Sequence, residues 1–495
     1  MNPRAEIIEV ECKFDVDAGL PAPDLSVLVP GGRAGEPQQY ELVATYLDTP
    51  AHDLAAHRIT LRRRTGGTDS GWHLKRPAGG DARRELQVDF SEAPADGPVP
   101  AAIASAVLAI VRDRPLIPVA EISTARTVTV VYDEDGDSLA EFCEDRVLSH
   151  AHQSQVTKEW AEWEFELTGG DTRLLKKARS LLRGAGARPA SSVSKLARAI
   201  GSEPRNHKPA KLAKHPTGLD LVVHSLATHR DSLLHWDPLV RENAWDAVHQ
   251  MRVTARKLRS VLTSFPTVLD SESVAGLSEE LRALGEVLGE ARDREVQLEI
   301  NAGLLDSEND PPADLRVALI DDELVRQQRS LRSLRYALST RRYLQLLDTL
   351  DALIANPAPG PDADRGAEKV AMEGIEHAAK RMHKAEKKLD DFDEWSEEWV
   401  EQVHRIRKRA KAVRYTADAG KPLGLKKAAK AAAEAAGVQT HLGDFNDTVV
   451  NRENLQKVVA VPGLSSRAVF VLGRLDAREE ERGRRAVQAF LDERP

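Results

Sequence analysis

The stretch IEVECKF, residues 8–14, alternates apolar and charged side chains. Because successive side chains of a β-strand point to opposite faces, Glu9, Glu11 and Lys13 share one face and the apolar residues share the other. Two carboxylates that are two residues apart on one face repel each other unless a counter-charge lies nearby. The stretch therefore predicts a strand whose charged face meets cations.

The same alternation recurs in LRRR (61–64) and in EWEFEL (162–167). Turn-rich stretches, such as GGTDSG (66–71), separate the alternating segments and are typical of antiparallel hairpins. Short helices are expected at 100–112 and 171–184. The first 200 residues or so thus read as a mostly antiparallel β domain.

The simplest interpretation of each charged strand face is contact with solvent, which is usual for an antiparallel sheet. Here, however, acidic residues concentrate on the first and last strands, and pairs of arginines lie on strands between them. A closed barrel with a polar lumen would place both sets around one ligand. Carboxylates would then hold divalent cations and arginines would hold phosphate oxygens.

Several segments of this half resemble, in order, the motifs of the CYTH (triphosphate tunnel) family. They are EVECK (9–13), which matches an ExExK signature, TYLDTPAHDL (45–54), LRRR (61–64), WHLKRP (72–77), RRELQVD (83–89), Arg126, EFCEDR (141–146), EWEFEL (162–167) and SVSKLAR (192–198). The signature alone is weak evidence, whereas the ordered series over some 195 residues is specific.

The resemblance implies an eight-stranded antiparallel tunnel that binds a triphosphate with two divalent ions, Mg²⁺ or Mn²⁺. Implied metal ligands are Glu9, Glu11, Asp145, Glu164 and Glu166, with Glu162 on the same face but ranked below them. The implied triphosphate clamp is Arg62, Arg64, Lys75, Arg83, Arg126 and Lys195; Arg83 is preferred to Arg84 because it shares the parity of Glu85. Lys13 and Glu85 complete the charge network as implied catalytic residues.

The function expected from this resemblance is metal-dependent hydrolysis of inorganic tripolyphosphate. The family also contains adenylyl cyclases and thiamine triphosphatases, so a nucleoside or thiamine triphosphate stays open as the substrate. A catalytically idle barrel in a polyphosphate-binding protein is a further alternative.

The pattern of apolar and polar residues changes in the second half of the chain. Residues 203–217 contain three prolines without periodicity and are typical of a linker, which assigns 1–202 to the β domain. Residues 218–495 carry apolar side chains at intervals of three and four and predict an all-helical bundle. The break at 356–366 separates two halves of this bundle, 218–355 and 367–495.

Two motifs occur once in each half. VHQMRVTARKLRSVL (248–262) corresponds to VHRIRKRAKAVRYTA (403–417), and LGEARDREV (288–296) corresponds to LGDFNDTVV (442–450). The two pairs have nearly the same separation, which indicates an internal duplication about a pseudo-twofold axis. In each copy of the first motif a histidine begins a cationic stripe on one helix face: His249, Arg252, Arg256 and Arg259, and His404, Arg407, Lys411 and Arg414.

A basic helix face is usually solvated and paired with acids one turn away. No acid occurs between His249 and Arg259 or between His404 and Arg414, so pairing within the helix is unavailable and an anionic partner is favoured. A metal role for the histidines would need a second ligand three or four residues on, where Arg252 and Arg407 stand instead.

These motifs resemble the CHAD (conserved histidine α-helical) family over about 218–495. The resemblance implies a helical bundle with a basic cavity that binds inorganic polyphosphate, with Arg292 added to the two stripes as a contact. The second copy departs from the family pattern at Asn446, which stands where the first copy has Arg292.

Composition excludes some other classes of protein. Aromatic residues are only 4% of the chain, which disfavours a nucleic-acid binder that stacks on bases. The two cysteines, Cys12 and Cys143, cannot form a disulfide framework. No apolar run is long enough for a membrane span. A cytoplasmic location, with association with polyphosphate granules as an option, is therefore expected.

Overall fold

The structure, a computed structural model of the full chain, describes residues 7–79, 82–201 and 211–493. The chain divides into two compact units, Met1–His207 and Lys208–Pro495. Of the linker predicted at 203–217, residues 203–210 lie outside the described residues.

The first unit is built from strands with four short helices. The strands are β1 (Ile7–Val16), β2 (Arg33–Ala34), β3 (Gln38–Asp48), β4 (Thr60–Thr65), β5 (Gly71–Pro77), β6 (Ala82–Asp89), β7 (Ile117–Tyr132), β8 (Ser138–Ala151), β9 (Val156–Leu167) and β10 (Arg188–Pro189). The α-helices described in this unit are α1 (Asp53–Ala56), α2 (Ala101–Val111), α3 (Thr172–Gly184) and α4 (Lys195–Ile200). The helices predicted at 100–112 and 171–184 are confirmed.

Eight of these strands close into an antiparallel barrel. Their order is β1-β6-β5-β4-β3-β7-β8-β9, and β9 pairs with β1 to complete the circle. The short strands β2 and β10 extend β7 and β1 at the margins. Because a closed sheet has no free edges, every strand must place one face toward the lumen. The predicted eight-stranded antiparallel barrel is confirmed.

The outward faces of the barrel strands carry the apolar residues that helices cover. Ile103 of α2 packs in one cluster with Trp72, and Leu182 of α3 packs in another with Trp163. These side chains are almost fully buried. These two hydrophobic clusters therefore lie outside the barrel wall, and polar side chains make up most of the lumen lining.

Helix α4 lies against the inner surface of the barrel. Its Leu196 and Ala199 share a cluster with Tyr46 and Ile122, which also line the lumen. The Ser194 hydroxyl accepts a hydrogen bond from Ala197 N and caps the start of this helix. This packing directs Lys195, the first residue of α4, into the lumen.

The second unit is all-helical in its described part. Its α-helices are α5 (Gly218–Arg241), α6 (Ala247–Ser264), α7 (Ser271–Asp306), α8 (Ala313–Arg316), α9 (Asp322–Ala337), α10 (Arg341–Ala355), α11 (Ala367–Lys387), α12 (Glu397–Ala419), α13 (Lys426–Val459) and α14 (Ser466–Glu493), with a π-helical turn at Val317–Asp321. A capping box between Thr217 and Asp220 begins α5. The predicted all-helical class is confirmed.

The two copies of each repeated motif lie on corresponding helices of the two predicted halves, namely the second and the third helix of each half. The histidine motifs lie on α6 and α12, and the LGxxxD motifs lie on α7 and α13. Helices α6 and α12 contact each other, and the hydroxyls of Ser264 and Thr416 are 2.6 Å apart at one point of this contact. The pseudo-twofold duplication itself stays a prediction.

A buried carboxylate organises the turn from β3 into α1. Asp48 is fully buried and accepts hydrogen bonds from the backbone N–H groups of Thr49 (2.7 Å), Leu54 (2.8 Å) and Ala55 (2.9 Å). It thereby satisfies donors at the start of a helix that is too short to satisfy them itself.

We expect Asp48→Ala to lower the free energy of unfolding of the barrel by about 3 kcal/mol, because three buried N–H groups lose their acceptor. Denaturant unfolding of the intact chain, followed by tryptophan fluorescence, measures the change. The exposed Asp113→Ala is the matched control and should change stability by less than about 0.5 kcal/mol. Equal effects of the two substitutions would contradict this role for Asp48.

Candidate functional site

The barrel encloses a cavity of about 280 Å³ to which all eight strands contribute side chains. Its charged lining consists of Glu9, Glu11, Lys13, Arg62, Arg64, Asp69, Lys75, Arg83, Glu85, Arg126, Glu141, Glu164, Glu166 and Lys195. The charged strand faces therefore point inward and do not meet open solvent. Every barrel residue that the sequence predicted for the site lines this cavity except Asp145.

Three buried carboxylates form a cluster at the α4 side of the lumen. Oxygen atoms of Asp145, Glu162 and Glu164 lie within 4.8 Å of one another, a spacing that is consistent with divalent-metal binding. The ammonium of Lys195 lies among them, 2.8 Å from Asp145, 2.6 Å from Glu162 and 2.7 Å from Glu164. The sequence ranked Glu162 below Glu164 and Glu166, whereas the geometry groups Glu162 with Glu164.

Arg126 completes the neutralisation of this cluster. Its guanidinium donates to both carboxylate oxygens of Asp145, at 2.7 and 2.6 Å, and to Glu164 at 2.6 Å. Burial alone would lower the pKa of Arg126, but these carboxylates raise it well above its ordinary value. Lys13 adds a further ion pair to Glu164 and one of 3.1 Å to Glu11. Cations of the chain itself thus hold the pKa values of Asp145 and Glu164 below their ordinary values, against the effect of burial.

The negative charges of a second set of acidic residues in the lumen, Glu9 and Glu166, are less fully compensated by cations of the chain. Burial raises the pKa of Glu9 to about 8, although the Lys75 ammonium lies only 2.6 Å away, and the neighbouring Glu85 and Glu166 raise it further. Burial also raises the pKa of Glu166, with a smaller contribution from Glu11. These carboxylates are hard oxygen donors that resist ionisation until more positive charge arrives, so they fit a divalent cation.

The opposite side of the lumen is crowded with guanidinium groups. Burial lowers the pKa of Arg64 to about 9, and the charges of Arg62 and Arg126 lower it further, although Arg64 also forms an ion pair with Asp69. The Nε atoms of Arg62 and Arg64 are buried and have no hydrogen-bond partner. Such donors fit the oxygens of a phosphate group.

The sequence analysis did not single out Tyr46, Asp69 and Glu141, which line the lumen, or His73, which contacts the lumen residue Glu85. His73 is 1% exposed, and its Nδ1 lies 2.9 Å from Glu85; burial lowers the pKa of this histidine to about 4. Strand parity could have revealed it, since His73 precedes Lys75 by two positions and shares its face. Glu141 bears the same relation to Cys143, whereas Asp69 lies in a turn, where parity gives no signal.

The second unit gathers cations from two helices at one place. In addition to burial, Arg252 of α6 lowers the pKa of Arg407 of α12, Arg252 and Arg256 lower the pKa of Lys411 of α12, and Arg407 lowers the pKa of Arg256. Burial lowers the pKa of Lys411 to about 7, and Arg407, Arg256 and Arg252 lower it further against the attraction of Asp447. We call these four residues the cation cluster. Like charges so close together favour an anionic ligand.

Helix α7 supports one member of the cation cluster. Asp293 accepts a hydrogen bond from Arg252 Nη1 at 2.7 Å. A Cβ atom on Gly289 would lie 3.2 Å from the Arg252 guanidinium, so glycine makes room for it. The buried Nε atoms of Arg256 and Arg407 have no hydrogen-bond partner and stay available to a ligand.

The five other residues that the sequence predicted to bind polyphosphate are not members of the cation cluster. Arg252, Arg256 and Arg292 lower the pKa of His249 in addition to its burial. Arg292 itself forms an ion pair with Glu295 at 3.2 Å. The other three predicted residues are His404, whose ring stacks on Phe445, Arg414, which donates to Gln439, and Arg259, which is exposed and faces Glu279.

Comparison with known proteins agrees with the division of the chain into a β-barrel unit and a helical unit. Residues 7–200 match the CYTH domain, and residues 224–456 match the CHAD domain. Over 510 aligned residues, the chain is 39% identical to the uncharacterized protein Rv2226 of Mycobacterium tuberculosis; the match covers 98% of this chain and 96% of that protein. The chain belongs to the CYTH–CHAD family.

Solved structures match each domain separately. The CHAD domain from the plant Ricinus communis is 24% identical, with a TM-score of 0.45, and the match covers 57% of this chain and 96% of that chain. The PH1819 protein from Pyrococcus horikoshii is 13% identical, with a TM-score of 0.23, and the match covers 39% of this chain and 96% of that chain.

Across residues 7–79, 82–201 and 211–493 of the CYTH–CHAD chain, none of the described helices combines the length and the apolar character that a membrane crossing requires.

We expect Lys411 of the CHAD domain to be half neutral near pH 7. Labelling with an amine-selective reagent across a pH series, read by mass spectrometry, should give an inflection near that value, with the exposed Lys430 as the reference for reagent reactivity. Arg256→Ala should move the inflection upward, because one repelling charge is removed. An inflection that Arg256→Ala leaves unchanged would contradict the cation cluster.

Proposed function

We propose that the CYTH domain hydrolyses inorganic tripolyphosphate in a metal-dependent reaction and that the CHAD domain binds inorganic polyphosphate. One observation carries the first part: a closed lumen places carboxylates with raised pKa values opposite buried arginines whose Nε atoms have no hydrogen-bond partner. A ligand that suits both sides must combine divalent cations with a compact chain of phosphates. A metal–triphosphate complex meets this requirement.

The donor set of the lumen fits Mg²⁺ or Mn²⁺. Glu9, Glu11 and Glu166 would hold such ions, with Asp145 and Glu164 as further ligands that Lys195 and Arg126 now neutralise. Two divalent ions would supply Lewis acidity toward the phosphate oxygens and the attacking water.

The cations of the chain bind and orient the triphosphate. Arg62 and Arg64 lie on one strand with their guanidinium groups in the lumen, and Lys75 and Arg126 reach it from neighbouring strands. Each would neutralise phosphate oxygens, so that a nucleophile can approach a substrate that carries several negative charges. Lys75 and Arg126 now form ion pairs with Glu9, Asp145 and Glu164, and they would exchange these carboxylates for phosphate oxygens when the carboxylates bind metal.

Two further residues keep these groups in position. Glu85 accepts a hydrogen bond from His73 and lies 3.8 Å from Lys75. Burial favours the protonated form of Glu85, but the His73 hydrogen bond and the charge of Lys75 hold its pKa below its ordinary value. Lys13 bridges Glu11 and Glu164. Both would fix the charge pattern around the substrate.

The CHAD domain has the features of a polyphosphate site in its cation cluster. Arg252, Arg256 and Arg407 lower the pKa values of cationic neighbours on α6 and α12 in addition to burial, against the attraction of Asp293 and Asp447. Binding would be electrostatic and therefore sensitive to salt. A chain that binds polyphosphate in the cytoplasm could also associate with polyphosphate granules.

A second candidate function is polyphosphate binding without catalysis. Lys195 favours it, because its ammonium lies among the three carboxylates that a metal ion would bridge. Turnover and binding measurements on the same preparation separate the two candidates.

Glu9→Ala should reduce phosphate release from tripolyphosphate with Mg²⁺ or Mn²⁺ by about 10²-fold or more, because a lumen carboxylate that can hold the metal is lost. Glu159→Ala, on the exposed face of β9, is the matched control and should retain the activity. Equal release from the Glu9 variant and the unaltered chain would remove this site. Faster phosphate release from ATP or thiamine triphosphate than from tripolyphosphate would change the proposed substrate but leave the proposed site unchanged.

Arg252→Glu together with Arg407→Glu should abolish binding of long-chain polyphosphate to the CHAD domain, because two guanidinium groups of the cation cluster become carboxylates. Binding to the intact chain is measured as a function of salt concentration. The polyphosphate used is too long for the lumen to hold all of it. Arg329→Glu with Arg332→Glu, exposed on α9, is the control of equal charge change. Affinity that survives the first pair and falls with the second would contradict the assignment.

A further inference from the structure

One member of the cation cluster differs chemically from the other three. Lys411 carries a primary amine, whereas the other members carry guanidinium groups. Lys411 is the ninth residue of its copy of the histidine motif, and Arg256 is the ninth residue of the other copy. A guanidinium group remains protonated in proteins, whereas an amine that loses its proton becomes a nucleophile. The cluster therefore contains one side chain that can form a covalent bond with an electrophile.

The surroundings of Lys411 disfavour its protonated form. Arg407 lies one turn before it on α12, and Arg252 and Arg256 act on it from α6. Asp447 of α13 attracts the ammonium, but burial and each of the three arginines have a larger effect. Together they lower the pKa of Lys411 to about 7, so a substantial fraction of the amine is neutral near neutral pH.

The arginines that repel the proton of Lys411 also suit a phosphate group. The Nε atoms of Arg256 and Arg407 are buried and have no hydrogen-bond partner. Guanidinium groups donate paired hydrogen bonds to phosphate oxygens. Lys411 is partly exposed, so a small molecule that binds these groups has access to the amine. One set of charges thus attracts phosphate and keeps a neighbouring nucleophile unprotonated.

We propose that Lys411 is a modification site that accepts an acyl group from acyl phosphates, small molecules in which a carboxyl group is joined to phosphate. This class supplies an anion for the arginines and an electrophilic carbon for the amine. The neutral amine attacks the acyl carbon, a C–N bond forms, and the C–O bond to the phosphate breaks. The phosphate leaves with the electron pair of that bond, and the amine proton passes to it or to water. The products are an amide on Lys411 and inorganic phosphate.

Acylation of Lys411 changes the charge of the cation cluster. An amide nitrogen does not take up a proton, so the modified side chain is neutral and no longer attracts an anion. The affinity of the CHAD domain for polyphosphate then falls, a consequence that rests on the proposed function of that domain. Bound polyphosphate in turn protects Lys411, because it occupies the arginines that an acyl phosphate needs.

Reaction of the intact chain with acetyl phosphate near neutral pH, followed by mass spectrometry of each lysine, tests the site. Lys411 should be acetylated at least about tenfold faster than Lys408, an exposed lysine on the same helix, because far more of its amine is neutral. The ratio of the two rates should be roughly threefold larger with acetyl phosphate than with acetic anhydride, which carries no phosphate for the arginines to bind. Equal rates at the two lysines, or equal ratios with the two reagents, would overturn the inference.

Polyphosphate binding before and after the same treatment tests the consequence. Acetylation should weaken the affinity of the unaltered chain for long-chain polyphosphate by roughly fivefold or more, because one charged contact is lost. The Lys411→Arg chain is the matched control, and treatment should change its affinity by less than about twofold, since arginine is not acetylated while its other lysines still meet the reagent. Equal losses in the two chains would contradict the effect of Lys411 acylation.

The two measurements fail independently. An untreated chain that does not bind polyphosphate would refute the proposed function of the CHAD domain, whereas selective acetylation of Lys411 would still establish the modification site. Acetylation of Lys411 no faster than that of Lys408 would refute the modification site even if polyphosphate binds.

Discussion

The compensation of buried charge is the constraint on which the CYTH domain depends. A closed barrel must turn one face of every strand inward, and here that face carries carboxylates, lysines and arginines. Isolated charges would be expensive to bury, so the acidic cluster is stable only with Lys195 and Arg126 beside it. The position of α4, which carries Lys195, is thus part of the electrostatics of the lumen as well as of its packing.

Compensation is incomplete at two places in that domain, and both places have chemical meaning. Glu9 and Glu166 retain raised pKa values, while Arg64 has a lowered one, so burial disfavours the charged forms of acidic and basic groups on opposite sides of one small space. The CHAD domain shows the positive half of the same arrangement at Lys411. In each case a ligand of opposite charge would stabilise the charged form of the buried group.

Much of the barrel site followed from strand parity and from the resemblance to a family. Parity places Glu9, Glu11 and Lys13 together without any knowledge of the fold, because a strand has a period of two. Parity does not rank residues within a face, which is why Glu162 was placed below Glu166. It is also silent about turns, so Asp69 escaped notice although it forms an ion pair with Arg64.

The sequence alone determined which side chains share a face, because that depends only on local backbone geometry. It also determined that no acidic residue lies between His249 and Arg259 on α6 or between His404 and Arg414 on α12. Only the tertiary structure decided which distant charges meet: Lys195 with Glu162, and Arg252 with Asp293. Contacts between remote residues depend on how whole elements pack, and no local periodicity records that packing.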